Sequence, residues 1–152
     1  LKNIVSRYTQ YEPAINYLKQ EFEKEINLSS ELKKLQKDFI NSILNSLSPD
    51  NIKSINDLIN QYKEIFGEDC SILNIIGMVC IYENELDNAE YYFKRALSFD
   101  IYNVDILYNI AYVKELKGCI KESREFYTLC KKNTKNEEII NLCDVRLSSD
   151  IQ

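Results

Sequence analysis

Most stretches of this chain repeat their apolar residues at i, i+3 and i+4, the spacing of a helix with one buried face. Residues 30–47 carry Leu32, Leu35, Phe39, Ile43 and Leu47 on one stripe. "SPD" at 48–50 then marks a turn, with Pro49 suited to start the next helix. Residues 51–67 follow through Ile52, Ile55, Leu58, Ile59, Tyr62 and Phe66, and Gly67 stops them. The pattern resumes over 70–83, 86–98, 104–117 and 120–132, with Gly118 in the last connection. Residues 136–147 read as a closing helix. At the other end, Ile4, Tyr8, Tyr11, Ile15, Leu18 and Phe22 are spaced 4, 3, 4, 3, 4, a heptad seam. Pro13 interrupts it and is suited to start a helix, leaving 1–11 as a short separate one. The seam either packs on the rest of the chain or forms a homodimer contact through residues 4–22. With three Gly and two Pro in 152 residues there is little material for β-hairpins, so the expected class is all-α.

A longer period lies over the helical one. Shifted by 34 residues, Leu73 falls on Leu107, Ile76 on Ile110, Gly77 on Ala111 and Leu86 on Ile120. Ala89 falls on Ser123, Phe93 on Tyr127 and Ala96 on Cys130. Small meets small and large meets large. Two antiparallel helices approach closely only where side chains are small, with large residues filling the space on either side. Gly77 and Ala89 are therefore expected to face each other, and Ala96 to admit the next helix.

This arrangement resembles the tetratricopeptide repeat, a 34-residue helix pair. The family's bulky position 4, Leu 7 and small 8, 20 and 27 are matched by Leu73, Ile76, Gly77, Ala89 and Ala96. In the next repeat they are Leu107, Ile110, Ala111, Ser123 and Cys130. The aromatic near 24 is met by Phe93 and Tyr127. The aromatic near 11 is replaced by Cys80 and Lys114, and Pro 32 by Ile101 and Lys135. The resemblance implies an all-α, right-handed superhelix of helix pairs. Its parts would be an N-terminal helical segment (1–29), a divergent hairpin (30–69), repeats at 70–103 and 104–137, and a capping helix (138–152), together one domain.

Charge and chemistry narrow the function. The net charge is −5, from 19 basic and 24 acidic residues mixed along the whole length. No basic face concentrates, which argues against nucleic acid. No apolar run nears the ~20 residues needed to span a membrane. The chain has no His and five Cys (Cys70, Cys80, Cys119, Cys130, Cys143), an odd number without C-x-x-C spacing. They read as small buried residues of a reducing, cytoplasmic compartment rather than a disulfide or zinc framework. No metal or other cofactor is expected. The three glycines are isolated, and no nucleophile has the usual His base. Carboxylates interleave with Lys and Arg, as in "KESRE" at 121–125, like a solvated helix face. No enzyme is expected.

The resemblance also implies a concave surface, lined by first-helix positions 2, 5, 9, 12 and 13. These are Ser71, Asn74, Met78, Ile81 and Tyr82, then Asp105, Tyr108, Tyr112, Glu115 and Leu116. The family's carboxylate clamp uses Lys at 5 and Asn at 9, where this chain has Asn74 and Met78. Asn109 matches a clamp Asn at 6, but without the Lys a bound anion has no counter-charge. What remains is an apolar, Tyr-rich groove. A protein or peptide partner, helical or extended, would be met by Asn74, Met78, Ile81, Tyr82, Tyr108, Tyr112 and Glu115, unless residues 1–27 fill the groove. A second reading starts from 103–127, similar to repeat segments attached to bacterial glycosyltransferases. The chain would then be a non-catalytic appendage of a larger bacterial enzyme. Its opening on Leu1 rather than Met fits a piece of a longer polypeptide.

Overall fold

The structure is a computed structural model, and residues 12–149 are described. Its elements are helices: α1 (Glu12–Ser46), a 3-10 turn (Pro49–Asn51), α2 (Ile52–Phe66), α3 (Cys70–Tyr82), α4 (Leu86–Leu97), α5 (Val104–Leu116), α6 (Ile120–Lys132) and α7 (Glu137–Ser148). Among the described residues there is no strand, and no helix is long and apolar enough to cross a membrane. The chain is all-helical.

The backbone falls into two compact units, Leu1–Phe39 and Ile40–Gln152. In the first, the described part is α1 up to Phe39. Pro13 stands in the first turn of α1, as its missing N–H allows. The expected boundary at 29/30 falls inside this 35-residue helix. "NLSSEL" contains neither Gly nor Pro, so nothing there breaks the backbone ladder. Leu32 and Leu35, expected to pack in a hairpin with 51–67, are exposed. Residues 1–11, which hold the first part of the expected heptad seam, lie outside the described residues.

The second unit is built from local signals that recur 34 residues apart. Asp69 caps α3 by accepting from the Ile72 amide at 2.9 Å, and Asn103 caps α5 by accepting from Ile106 at 3.2 Å. Asn84 and Gly118 take left-handed conformations, φ 59° and 77°, in the α3–α4 and α5–α6 turns. The amide after each closes its helix by bonding to the carbonyl five residues back, Glu85 to Cys80 and Cys119 to Lys114, both at 2.8 Å. Gly is the usual residue at such a site, and Asn tolerates it better than most.

The core follows the same offset. Leu73, Ala89, Phe93 and Ala96 are fully buried between α3 and α4, and Leu107, Ala111 and Cys130 between α5 and α6. α4 also packs on α5, and α6 on α7. Leu107, Ala111, Tyr127 and Cys130 close over Cys143 of α7. A Cβ built on Gly77 would lie 2.5 Å from Phe93 Cε1 and 2.6 Å from its Cδ1. The partner of the small position is thus the Phe93 ring. At the contact equivalent to Gly77 with Ala89, Ser123 Oγ donates to the Ala111 carbonyl at 2.8 Å, so a polar residue serves as a small one.

The opposite side holds an ion cluster that breaks the picture of uniformly solvated charges. Glu90 of α4 and Lys114 of α5 are buried, 2.7 Å apart. Glu90 also meets Lys94 and Lys117 at 2.7 Å, and Lys114 meets Glu122 of α6 at 2.7 Å. Burial works against the Glu90 charge, but the ammonium groups of Lys114, Lys117 and Lys94 outweigh it and hold its pKa at about 2.

Two expectations follow. Gly77→Ala gains about 1 kcal/mol of helix propensity, yet Phe93 is fully buried and its ring cannot swing clear. The variant should be less stable by about 1–3 kcal/mol in chemical denaturation, the usual range for overpacking. A gain in stability would mean that the two helices can separate freely. For Glu90, a folded pKa below the unfolded value gives stability that is present above pH 4.5 and is lost as pH falls from there towards about 2. Glu90→Gln should destabilise at neutral pH by up to about 3 kcal/mol, since Lys114 keeps Glu122. It should also flatten the acid limb of the stability curve. An unchanged acid limb would place the charge coupling elsewhere.

Candidate functional site

The hairpins set α3 and α5 so that Asn109 Nδ2 donates to Asn74 Oδ1 across 2.8 Å. This side-chain bond fixes which turns of the two helices face each other. Around it lie two concavities, of about 290 and 320 Å3. The first is lined by Leu44, Asn74, Met78, Asp105, Tyr108, Asn109, Ile139 and Leu142. The second is lined by Met78, Ile81, Tyr82, Tyr108, Asn109, Tyr112 and Arg146. Met78, Tyr108 and Asn109 are common to both, so the two form one continuous groove. Every lining residue belongs to the second unit.

Six of the residues expected from sequence, Asn74, Met78, Ile81, Tyr82, Tyr108 and Tyr112, meet along this groove. Glu115, Ser71 and Leu116 are not among its lining residues. Asp105, read as a groove position, lines the first concavity. Self-filling by residues 1–27 rests in part on residues 1–11, outside the described region.

Glu115 works behind the wall. Its Oε2 accepts from the Tyr127 hydroxyl at 2.8 Å, and its Oε1 accepts from Arg146 Nη1 at 3.1 Å. Burial, then this carboxylate, push the Tyr127 phenol well above its ordinary pKa, so Tyr127 stays a donor. The neighbouring Tyr108 hydroxyl, then the Glu115 carboxylate, outweigh burial and raise the Arg146 pKa above its ordinary value. Its guanidinium lies 5.5 Å from the centre of the Tyr112 ring, a cation–π contact. Tyr108 packs edge-on against Tyr127 with centroids 5.3 Å apart. Tyr108 and Tyr112 are thereby each packed against a side chain from behind the wall.

The sequence matches no model of a known protein family and no curated protein.

Sequence reasoning missed Arg146, Ile139 and Leu142, which α7 brings to the groove. α7 reads locally as a lid for the last helix pair, and the signal for its second role is weak. Ile139, Leu142 and Arg146 recur at helix spacing beside Cys143, the buried residue of the helix. Leu44 likewise enters from α1 without a local cue. No group of three His, Cys, Asp or Glu side chains able to hold a metal occurs among the described residues. The cysteines are unpaired, with Cys80, Cys130 and Cys143 buried. Burial pushes the Cys80 thiol up to about 11 and the Cys130 thiol up to about 12.

Glu115→Ala should remove the acceptor of a buried Tyr127 hydroxyl and lower stability by about 1–3 kcal/mol, seen as a drop in Tm. Glu115→Gln keeps an acceptor and should recover much of that loss. Equal losses in the two variants would assign the effect to charge on Arg146 rather than to the Tyr127 hydrogen bond.

Proposed function

We propose that α3–α4 and α5–α6 are tetratricopeptide-like helix pairs of a right-handed superhelix, and that the chain is a non-catalytic interaction module. Its groove takes a helical or extended peptide segment of a partner protein. The observation that carries this reading is the continuity of the two concavities across Met78, Tyr108 and Asn109. The 34-residue recurrence of caps, turns and core residues supports the fold assignment. Tyr, Met and Arg are the side chains that protein interfaces favour. Tyr108 and Tyr112 are already packed against Tyr127 and Arg146, which lowers the ordering cost of binding. Met78 adds an adaptable contact at the centre.

The polar groups suit the same ligand. The Asn74–Asn109 pair lies between the apolar walls, where an amide can meet a peptide backbone. The charge of Arg146 is balanced locally by Glu115, so the groove does not act as an anion trap. Burial of apolar side chains then supplies most of the binding energy, with Asp105 and Arg146 at the rim selecting the ligand's orientation.

The experiment is to pan a displayed peptide library against the full chain and titrate the best binder. Tyr108→Ala and Tyr112→Ala should each weaken it roughly thirtyfold or more, as loss of a well-packed interface aromatic does. Affinity should change little from low to moderate salt, because apolar burial is not screened. Binders insensitive to both folded variants, or lost steeply with salt, would move the site away from this groove.

A further inference from the structure

From Tyr17 to Leu35, α1 carries Tyr17, Leu18, Phe22, Ile26, Leu28, Leu32 and Leu35, each between 50% and 65% exposed. At about 100° per residue, all seven fall within half of the helix circumference. The opposite half, from Asn16 to Asp38, holds Asn16, Lys19, Gln20, Glu23, Lys24 and other polar residues, and no apolar one. A helix so divided draws its stability from packing its apolar half on something. Leu18, Phe22 and Leu32 also keep heptad phase with Ile43 further along the same helix.

We propose that this face of α1 pairs with the same face of a second copy of the chain, antiparallel, about a two-fold axis near Asn27. Charge selects both the partner and the direction. Residues 12–26 hold four acidic side chains (Glu12, Glu21, Glu23, Glu25) and two basic ones (Lys19, Lys24), a net −2. Residues 27–39 hold Lys33, Lys34 and Lys37 against Glu31 and Asp38, a net +1. Within the apolar half itself the charges are Glu21 and Glu25 on one side of Asn27 and Lys33 on the other. A parallel pair would set Glu25 against Glu25 in the seam. The antiparallel pair sets Phe22 of one copy against Leu32 of the other, Ile26 against Leu28, and Glu21 beside Lys33. Around its centre the surface is thus complementary to its own reverse, while Leu18 and Leu35 lie against the stems of Gln36 and Lys19.

The area also suffices. Two of the seven residues are aromatic, each worth about 150–250 Å2 when buried. Together the seven offer an area on the order of the ~800 Å2 per partner of a stable interface. This face is separate from the groove residues, so failure here leaves the peptide-binding reading intact.

Sedimentation velocity on the full chain should show a reversible dimer. Phe22→Glu and Leu32→Glu should each weaken it about a thousandfold, since a symmetric pair loses every side chain twice. Both positions are exposed and lie outside the second unit, so the Tm of the second unit should hold. Spin labels on a non-natural residue at position 27, level with the axis, should report the shorter of two distances between copies. Labels at position 16 should lie farther apart by about 33 Å along the axis, twice eleven residues of rise. A chain that stays monomeric over a wide concentration range would overturn the proposal. So would a dimer indifferent to Phe22→Glu, or equal distances at both labelled positions, which would mean a parallel pair.

Discussion

The second unit depends on how closely α4 can lie against α3. At Gly77 the space of a β-carbon is taken by the Phe93 ring, so the contact has no slack. Phe93 is itself fully buried, with Ala89 and Ala96 on the same helix and Leu73 on the facing one. Thirty-four residues later Ala111, Ser123, Tyr127 and Cys130 repeat the arrangement, and the Ser123–Ala111 hydrogen bond draws the helices together. Close pairing leaves α3 and α5 as neighbours along their inner faces, where Asn74 and Asn109 meet. The groove is a consequence of that spacing. Widen one hairpin and its two walls no longer share Met78 and Tyr108.

Polar groups take part in this packing without being left unsatisfied. Among the described residues, no buried side-chain nitrogen or oxygen lacks a partner. Glu90 and Lys114 replace apolar contact behind α4 and α5 with an ion cluster that reaches α6 through Glu122. Removing a carboxylate from water is costly, and only the three lysines around it make the arrangement favourable. Lys114 occupies the place that Cys80 holds 34 residues earlier, so one position serves apolar burial in one hairpin and charge pairing in the next.

Two surfaces remain apolar for different physical reasons. The groove aromatics are backed by a Glu115-centred set: Glu115 accepts from Tyr127 and Arg146, Tyr127 packs edge-on against Tyr108, and the Arg146 guanidinium lies over Tyr112. On α1 the apolar side chains from Tyr17 to Leu35 stand exposed along a single helix. A preorganised concavity suits a ligand that threads into it, whereas a long amphipathic stripe suits another helix of matching length.

By itself the sequence determined the helices, most of their ends and the core of both hairpins. Helix periodicity, capping residues such as Asp69 and Asn103, and stops such as Gly67 and Gly118 act over a few residues, so the local chain carries them. Six groove residues were legible because inward-facing positions on α3 and α5 follow from the same period. The tertiary structure decided what local pattern cannot encode. It set the Phe93 ring against Gly77, and it buried Glu90 and Lys114 together. It brought Arg146, Ile139, Leu142 and Leu44 to the groove from helices distant in sequence. It also carried α1 unbroken through residues 29 and 30, leaving Leu32 and Leu35 exposed. Periodicity specifies which side of a helix is apolar; what covers that side is fixed only when the helices meet.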